Sequence, residues 1–159
     1  MRWLAAAAFC LAAPAAAQDG LPVADHIVVD KTARTISVYE DGKLVRRMTG
    51  IQLGDEPRGH KRFQGDERTP EGRYEIDWGN PQSAYHLSLH ISYPNAADRA
   101  YALAHGRSPG GMIMIHGQPN GRPGRIQGDW TDGCIAVSNA EVEWLWQVVP
   151  DGTVIDILP

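Results

Sequence analysis

Cysteine is scarce in this sequence. Only Cys10 and Cys134 occur among 159 residues, and no C-x-x-C or H-E-x-x-H pattern offers a set of zinc ligands. The sequence also lacks G-x-S-x-G, the turn that presents the nucleophile of many serine hydrolases. We therefore predict no metal and no cofactor, and we disfavour a serine hydrolase of that type.

Long apolar runs are missing as well. The N-terminal run Leu4–Ala13 covers about ten residues, whereas a membrane-spanning helix needs roughly 20. It follows a short positive start, Met1–Trp3, and precedes Ala15–Ala17, an A-x-A cleavage site. This order is typical of secretion, so we predict a signal peptide at residues 1–17, a periplasmic location and no transmembrane span. A lipoprotein anchor on Cys10 is the less favoured alternative, because a bulky residue precedes it.

An excess of basic residues is absent too. The formal net charge is −4, and removal of the signal peptide takes Arg2 away and makes it −5. An acidic chain is a poor match for nucleic acid or an anionic membrane surface, so we predict no nucleic-acid partner. The remaining length is enough for one domain with a core. We predict a flexible lead-in at residues 18–25 and a single domain at residues 26–159.

The patterns that are present are mostly those of β-strands. His26–Asp30 is apolar and β-branched, Thr35–Glu40 alternates, and Asp41-Gly42 forms a hairpin turn into Lys43–Gly50. Strands are predicted again at Arg73–Trp78, Tyr85–Tyr93, Met112–Ile115 and Thr153–Leu158, and helices at Ala96–Leu103 and Asn139–Val149. The predicted fold class is mainly β, a β-sandwich or barrel with one or two helices.

Cys134 is the candidate nucleophile. Once the signal peptide is removed it has no partner in the chain, so it is a reactive thiol, an intermolecular disulfide or a buried structural residue. Gly133 lets the backbone bend and bring its own N–H beside the sulfur, where two adjacent amides would form an oxyanion hole. His116, at the end of an apolar run, is the candidate base, because a thiol is mostly protonated at neutral pH.

Other titratable residues have simpler interpretations. Asp132 is two residues before Cys134 and would raise the pKa of the thiol unless it points away. Asp129 is interpreted as a loop cap. On a strand, His86 and His90 would share one face but lie about 13 Å apart, too far to share a metal ion.

Two motifs flank the loop between His116 and Cys134. They are Ile113–Gly117, which reads IMIHG, and Thr131–Ile135, which reads TDGCI. Together they resemble the catalytic domain of the L,D-transpeptidases (YkuD type), as do the hairpin at Asp41-Gly42-Lys43 and the segment at residues 69–74. The resemblance spans nearly all of the chain after the lead-in and implies the fold of that family.

The resemblance also implies an activity, that of a cysteine acyltransferase. Cys134 would be the nucleophile and His116 the base, with Gly133 beside them, while Gly117, Thr131 and Asp132 would contact substrate. The implied substrate is a peptidoglycan stem peptide, cut after a meso-diaminopimelate residue. The acyl group would then pass to an amine or to water.

One position departs from the pattern of the family. Arginine is usual two residues after the cysteine, and Ala136 stands there. The substrate carboxylate therefore needs another cation, for which Arg107, Arg122 and Arg125 are candidates, and Arg125 is predicted to bind substrate.

The surrounding segments resemble one branch of the family. The runs Asp129–Asn139 and Ser92–Asn95 are similar to the YafK-like branch, which includes a hydrolase that releases a lipoprotein linked to peptidoglycan. Such a lipoprotein is therefore a predicted partner beside the stem peptides. A non-catalytic peptidoglycan-binding module on the same fold is the alternative.

Overall fold

The structure, a computed structural model, describes residues 20–159. Over this range it is mainly β, as predicted. The strands are β1 His26–Asp30, β2 Thr35–Glu40, β3 Lys43–Thr49, β4 Gly72–Asn80, β5 Ser88–Ile91, β6 Met114–His116, β7 Ile135–Ala136 and β8 Thr153–Leu158, and the helices are α1 Ala96–Ala104 and α2 Asn139–Val148. The predicted signal peptide, residues 1–17, lies outside the described residues.

The first three strands form the meander that their alternation predicts. β2 pairs antiparallel with both β1 and β3, and the β2–β3 turn has positive φ at Asp41 and Gly42, as a tight hairpin requires. Ile27 and Ile36 are fully buried on the core side. β8, from the end of the chain, lies parallel to β1 with Ile155 opposite Ile27.

All eight strands belong to one curled sheet, in the order β3-β2-β1-β8-β4-β5-β6-β7. The segment after β3 reaches the opposite edge, where Gln52 bridges Ala136 of β7 and Gly54 bridges Thr131. Of the two predicted architectures, the barrel is thus the closer description. The two edges of the sheet meet beside the loop that carries Cys134.

Both helices begin at the predicted caps. Asn95 and Ser138 each accept a hydrogen bond from the N–H three residues on, and Asp98 and Glu141 complete the two capping boxes. The buried face of α2 joins the main core through Val142, Leu145 and Val148. This packing places α2 against β5 and β6.

One strand is much shorter than predicted. The strand expected at Tyr85–Tyr93 is reduced to β5, because His86 has a φ of 72° and interrupts the extended chain. The segment before β5 is therefore a loop, and it passes over His116 instead of extending the sheet.

The end of the predicted flexible lead-in is held against the domain. Ala24 is buried and its N–H donates to Val148 O, while the Asp25 N–H donates to Tyr39 O. The packed domain therefore begins before His26. Neither helix within residues 20–159 is long and apolar enough to cross a membrane.

Candidate active site

β6 and β7 bring the two predicted catalytic residues close together. The strands run parallel, with His116 opposite Ala136, and Cys134 directly precedes β7. The Met114 N–H, on β6, donates to Cys134 Sγ at 3.4 Å. Cys134 and His116 line one pocket.

The turn before Cys134 requires glycine. Gly133 has a φ of +125°, and a Cβ at this position would lie 2.5 Å from Arg68 O. Thr131 holds the turn from inside, since its hydroxyl donates to Cys134 O at 2.7 Å and accepts from the Gly133 N–H at 3.2 Å. Thr131 is itself buried, and its N–H donates to Leu53 O. The sequence TDGC therefore forms a rigid support for the thiol.

One of the two amides predicted for an oxyanion hole is already engaged. The Gly133 N–H donates to Thr131 Oγ1, whereas the Cys134 N–H has no hydrogen-bond partner within residues 20–159. An unpaired N–H beside a nucleophile is the kind of donor that a developing oxyanion needs. The Cys134 amide is thus the stronger candidate, and a contribution of Gly133 stays a prediction.

The Cys134 thiol is half-buried against β6. Its S–H donates to Met112 O at 3.6 Å, and the sulfur accepts from the Met114 N–H. Burial raises the pKa of the thiol above its ordinary value; the Met114 N–H opposes this rise and the Asp132 carboxylate adds to it. At neutral pH the thiol is therefore protonated and needs a base.

His116 is a buried imidazole with a defined tautomer. It is 3% exposed, and burial lowers its pKa, against the raising effect of its bond to Gly117. Nδ1 lies 2.7 Å from Gly117 O, so Nδ1 carries the proton and Nε2 keeps a lone pair. The Tyr85 ring lies over the imidazole with centroids 4.6 Å apart, and Trp130 makes a T-shaped contact at 5.6 Å.

Both catalytic candidates are therefore uncharged at rest. The raised pKa of Cys134 and the lowered pKa of His116 disfavour a preformed thiolate–imidazolium pair. Within the described residues the Cys134 sulfur is within hydrogen-bonding distance of Met112 O at 3.6 Å and makes no hydrogen bond with the imidazole. Such a site suits proton transfer that occurs during nucleophilic attack.

Two pockets adjoin at the nucleophile. The imidazole pocket contains Cys134 and His116 and measures about 520 Å³. The lysine pocket has Lys61 in its wall and measures about 650 Å³. The two pockets share Gly111, Met112 and Asp132. Groups on both sides of a scissile bond could therefore be held with the bond itself at Cys134.

Of the residues predicted to contact substrate, Thr131 and Asp132 line the pockets, whereas Gly117 has a structural role. Thr131 lines the imidazole pocket, and the exposed Asp132 lines both pockets. Gly117 lines neither: a Cβ there would lie 2.6 Å from Asn139 Oδ1 and 3.0 Å from Tyr85 O. Close packing and the carbonyl that orients the imidazole explain the glycine at this position.

The structure does not bring Arg125 to the nucleophile. Its guanidinium donates to Gly50 O at 2.5 Å and lines a separate pocket. Arg107 lies over the Phe63 ring at 3.9 Å, and Arg122 is exposed in the loop. Within the described chain none of these three arginines lines the two pockets at Cys134. Arg125 was predicted only because the substrate carboxylate needs a cation. The path of its loop instead brings the guanidinium to Gly50 O.

Buried polar contacts set the path of that loop, residues 118–130. Gln52 Nε2 donates to Ile126 O at 2.6 Å, and Gln118 Nε2 donates to Gln52 Oε1 at 3.2 Å. Asp129 pairs with Arg34 at 2.7 Å. Asp129 thus ties the end of the loop to Arg34 and, by accepting from the Leu53 N–H at 2.8 Å, to the segment after β3.

Three residues of the site were missed by the sequence analysis. Tyr85 and Trp130 enclose the imidazole, and Lys61 is a cation in the wall of the lysine pocket. They come from three separate loops, so no local pattern marks them. The one available clue for Lys61 was an aspartate five residues on, Asp66, with which it pairs at 2.9 Å.

Fold and site together define a domain in which a glycine-bent turn supports a thiol beside a buried histidine on a curled β-sheet. The chain belongs to the L,D-transpeptidase catalytic domain family (YkuD), whose profile matches residues 24–157. It is similar to YafK of Escherichia coli K12, a candidate L,D-transpeptidase. The two are 31% identical over 142 residues, which cover 82% of this chain and 48% of YafK.

Two solved structures share the fold of this chain. Pgp2 from Campylobacter jejuni, a helical cell shape determining protein, matches with a TM-score of 0.66 and 32% identity, over 83% of this chain and 46% of Pgp2. Bd1075 from Bdellovibrio bacteriovorus has the same fold, with a TM-score of 0.61 and 24% identity, over 87% of this chain and 51% of Bd1075. The chain spans about half the length of these relatives.

Proposed function

We propose that this chain is an exported cysteine acyltransferase that acts on peptidoglycan stem peptides. The observation that carries the proposal is the position of Cys134 and His116 in one pocket, with His116 Nδ1 bonded to Gly117 O so that Nε2 is free to accept a proton. Family membership supports the substrate class, and the predicted signal peptide supports a periplasmic location. The cell-shape role stated for Pgp2 agrees with a peptidoglycan substrate.

The first half-reaction forms a thioester. Cys134 Sγ attacks the carbonyl carbon, and His116 Nε2 takes the thiol proton, which leaves its resting contact with Met112 O. The Cys134 N–H donates to the carbonyl oxygen as negative charge develops there. The C–N bond then breaks, and His116 returns the proton to the leaving amine.

The second half-reaction decides the product. An amine that attacks the thioester gives transpeptidation, whereas water gives hydrolysis, including release of a lipoprotein linked to peptidoglycan. In both cases His116 removes a proton from the acceptor and returns it to the Cys134 sulfur. Residues 20–159 supply the same nucleophile and base for either outcome.

The experiment is incubation with purified muropeptides, with and without an amine acceptor, followed by mass spectrometry. Wild-type protein should change the muropeptides, and Cys134→Ala and His116→Ala should each abolish that change while the fold, checked by circular dichroism, persists. A carbapenem should add one adduct to wild-type protein and none to Cys134→Ala.

Two results would count against the proposal. Turnover by Cys134→Ala would show that another group is the nucleophile. A wild-type protein that binds sacculi but neither turns over muropeptides nor gains an adduct would favour the non-catalytic binding module. The resting contact of the thiol with Met112 O, away from His116, is the observation on the side of that alternative.

A further inference from the structure

Lys61 is a buried lysine beside the nucleophile that the mechanism above does not use. Its side chain is 3% exposed, yet it lines the lysine pocket, which adjoins the pocket of Cys134. Burial dominates the pKa of Cys134, and the Lys61 ammonium acts against it by lowering that pKa. The positive charge of Lys61 therefore reaches the place where substrate must bind.

The ammonium group of Lys61 has a donor to spare. Nζ donates to Asp66 Oδ1 at 2.9 Å and to Phe63 O at 3.2 Å, and an ammonium has three N–H groups. In the described part of the chain no acceptor takes the third. Asp66 also accepts from the N–H groups of Arg62, Phe63 and Arg68, so it is not dedicated to the lysine.

Lys31 shows what a purely structural buried lysine looks like in the same domain. It is also 3% exposed, but its Nζ donates to Gly59 O, Thr69 O and Glu71 Oε1 at 2.7, 3.2 and 2.8 Å. All three of its donors are used. The pocket that it lines shares no residue with the two pockets at Cys134.

We propose that Lys61 binds a carboxylate of the substrate and makes the enzyme specific for stem peptides that carry a free side-chain carboxylate next to the scissile bond. The inference rests on the proposed function. Ala136 leaves no arginine on β7, and Lys61 is the cation that the lysine pocket contains. The carboxylate takes the third N–H, which points the substrate chain toward Cys134.

The other charges of the lysine pocket refine the ligand. Glu67 and Asp132 line the same pocket, so two carboxylates accompany the one ammonium. A ligand group that carries an ammonium beside its carboxylate meets both signs of charge, whereas a simple dicarboxylate would be repelled. The free amino-acid end of a diamino-diacid residue has this chemistry.

The test compares two tetrapeptide substrates that differ in one group, a free carboxylate or a primary carboxamide on the diamino-diacid side chain. We expect wild-type protein to prefer the carboxylate in kcat/KM by about 10- to 100-fold, the effect of one hydrogen bond to a charged group. Lys61→Met should lose this preference, mainly through KM for the carboxylate peptide, and leave the carboxamide peptide little affected. Lys31→Met, the matched control, should lower the melting temperature and keep the preference.

Two outcomes would overturn the inference while the proposed function stands. One is a wild-type protein that processes both peptides equally, a result that needs no variant. The other is a Lys61→Met protein that keeps the wild-type preference, which would make Lys61 a structural residue like Lys31. A wild-type protein that processes neither peptide refutes the proposed function, and this inference with it.

Discussion

The close approach at Gly133 leads to a quantitative prediction about the thiol. Gly133→Ala would place a Cβ 2.5 Å from Arg68 O and 3.3 Å from Ile113 Cδ1, at a φ of +125°. Real Cβ atoms essentially never lie closer than 3.0 Å to such an atom. The turn or the backbone at Arg68 must therefore move by about half an ångström, because the Arg68 carbonyl oxygen is a backbone atom that no rotamer change can displace.

This displacement should affect both stability and rate. A positive φ costs an L-residue about 1–2 kcal/mol, and forced overpacking costs about 1–3 kcal/mol, so Gly133→Ala should lower the free energy of unfolding by about 2–5 kcal/mol. The moving backbone carries Cys134. A misplacement of about 1 Å can cost roughly 100-fold in rate. A displacement of about half an ångström should therefore slow acylation of Cys134 by roughly tenfold.

Gly128→Ala is the matched control. Gly128 also has positive φ, +71°, but nothing lies within 4 Å of its added Cβ, so it should lose only the about 1–2 kcal/mol of backbone strain. Urea unfolding measures the free energies, and the time course of the carbapenem adduct measures acylation. If the two variants unfold at the same urea concentration and acylate at the wild-type rate, the close approach to Arg68 does not position the nucleophile.

Two further substitutions examine the same turn. Asp132→Asn removes the carboxylate that adds to the effect of burial on the pKa of Cys134. The pH midpoint of alkylation by iodoacetamide should therefore be lower in Asp132→Asn than in the wild-type protein. Asp151→Asn, a control outside both pockets, should leave the midpoint unchanged. An unchanged midpoint in Asp132→Asn would show that this carboxylate does not face the thiol. Thr131→Val removes the buried hydroxyl that bonds Cys134 O and the Gly133 N–H, and it should cost about 1–3 kcal/mol in urea unfolding. A loss below about 0.5 kcal/mol, the range of ordinary surface changes, would mean that the hydroxyl does not hold the turn.

Local patterns predicted most of the scaffold. β1, β2 and β8 have the predicted boundaries, because each is a β-branched, alternating run that ends at turn residues. Both helices begin at their predicted caps for the same local reason. The segment at His86 was wrongly predicted to be a strand. Its apolar and polar residues do alternate, but the contacts of Tyr85 with His116 and Gly117 hold the segment out of the sheet.

The site was predictable only where residue type alone indicates chemistry. Cys134, Gly133 and His116 could be proposed as site residues because a lone thiol, a glycine next to it and a histidine at a strand end are few in number, and their catalytic roles stay predictions. The residues that line the two pockets could not be predicted in this way, because long-range packing brings them together. Lys61, for example, reaches the site through a loop that the Gln64 N–H ties to Ser108 O at 2.8 Å.

The uncharged resting pair also gives a reason why a single cysteine could persist in the exported enzyme that we propose. Oxidation and disulfide exchange proceed through the thiolate, so a thiol with a raised pKa reacts slowly with oxidants and with other thiols. The bond from the Cys134 S–H to Met112 O and the adjacent Asp132 carboxylate both favour the protonated form. In the proposed mechanism His116, neutral and with Nε2 unprotonated, would take the proton only when a carbonyl carbon is present to accept the sulfur electron pair. In an oxidising compartment such as the proposed periplasmic location, the burial that slows the free thiol would therefore keep the candidate nucleophile intact until substrate binds.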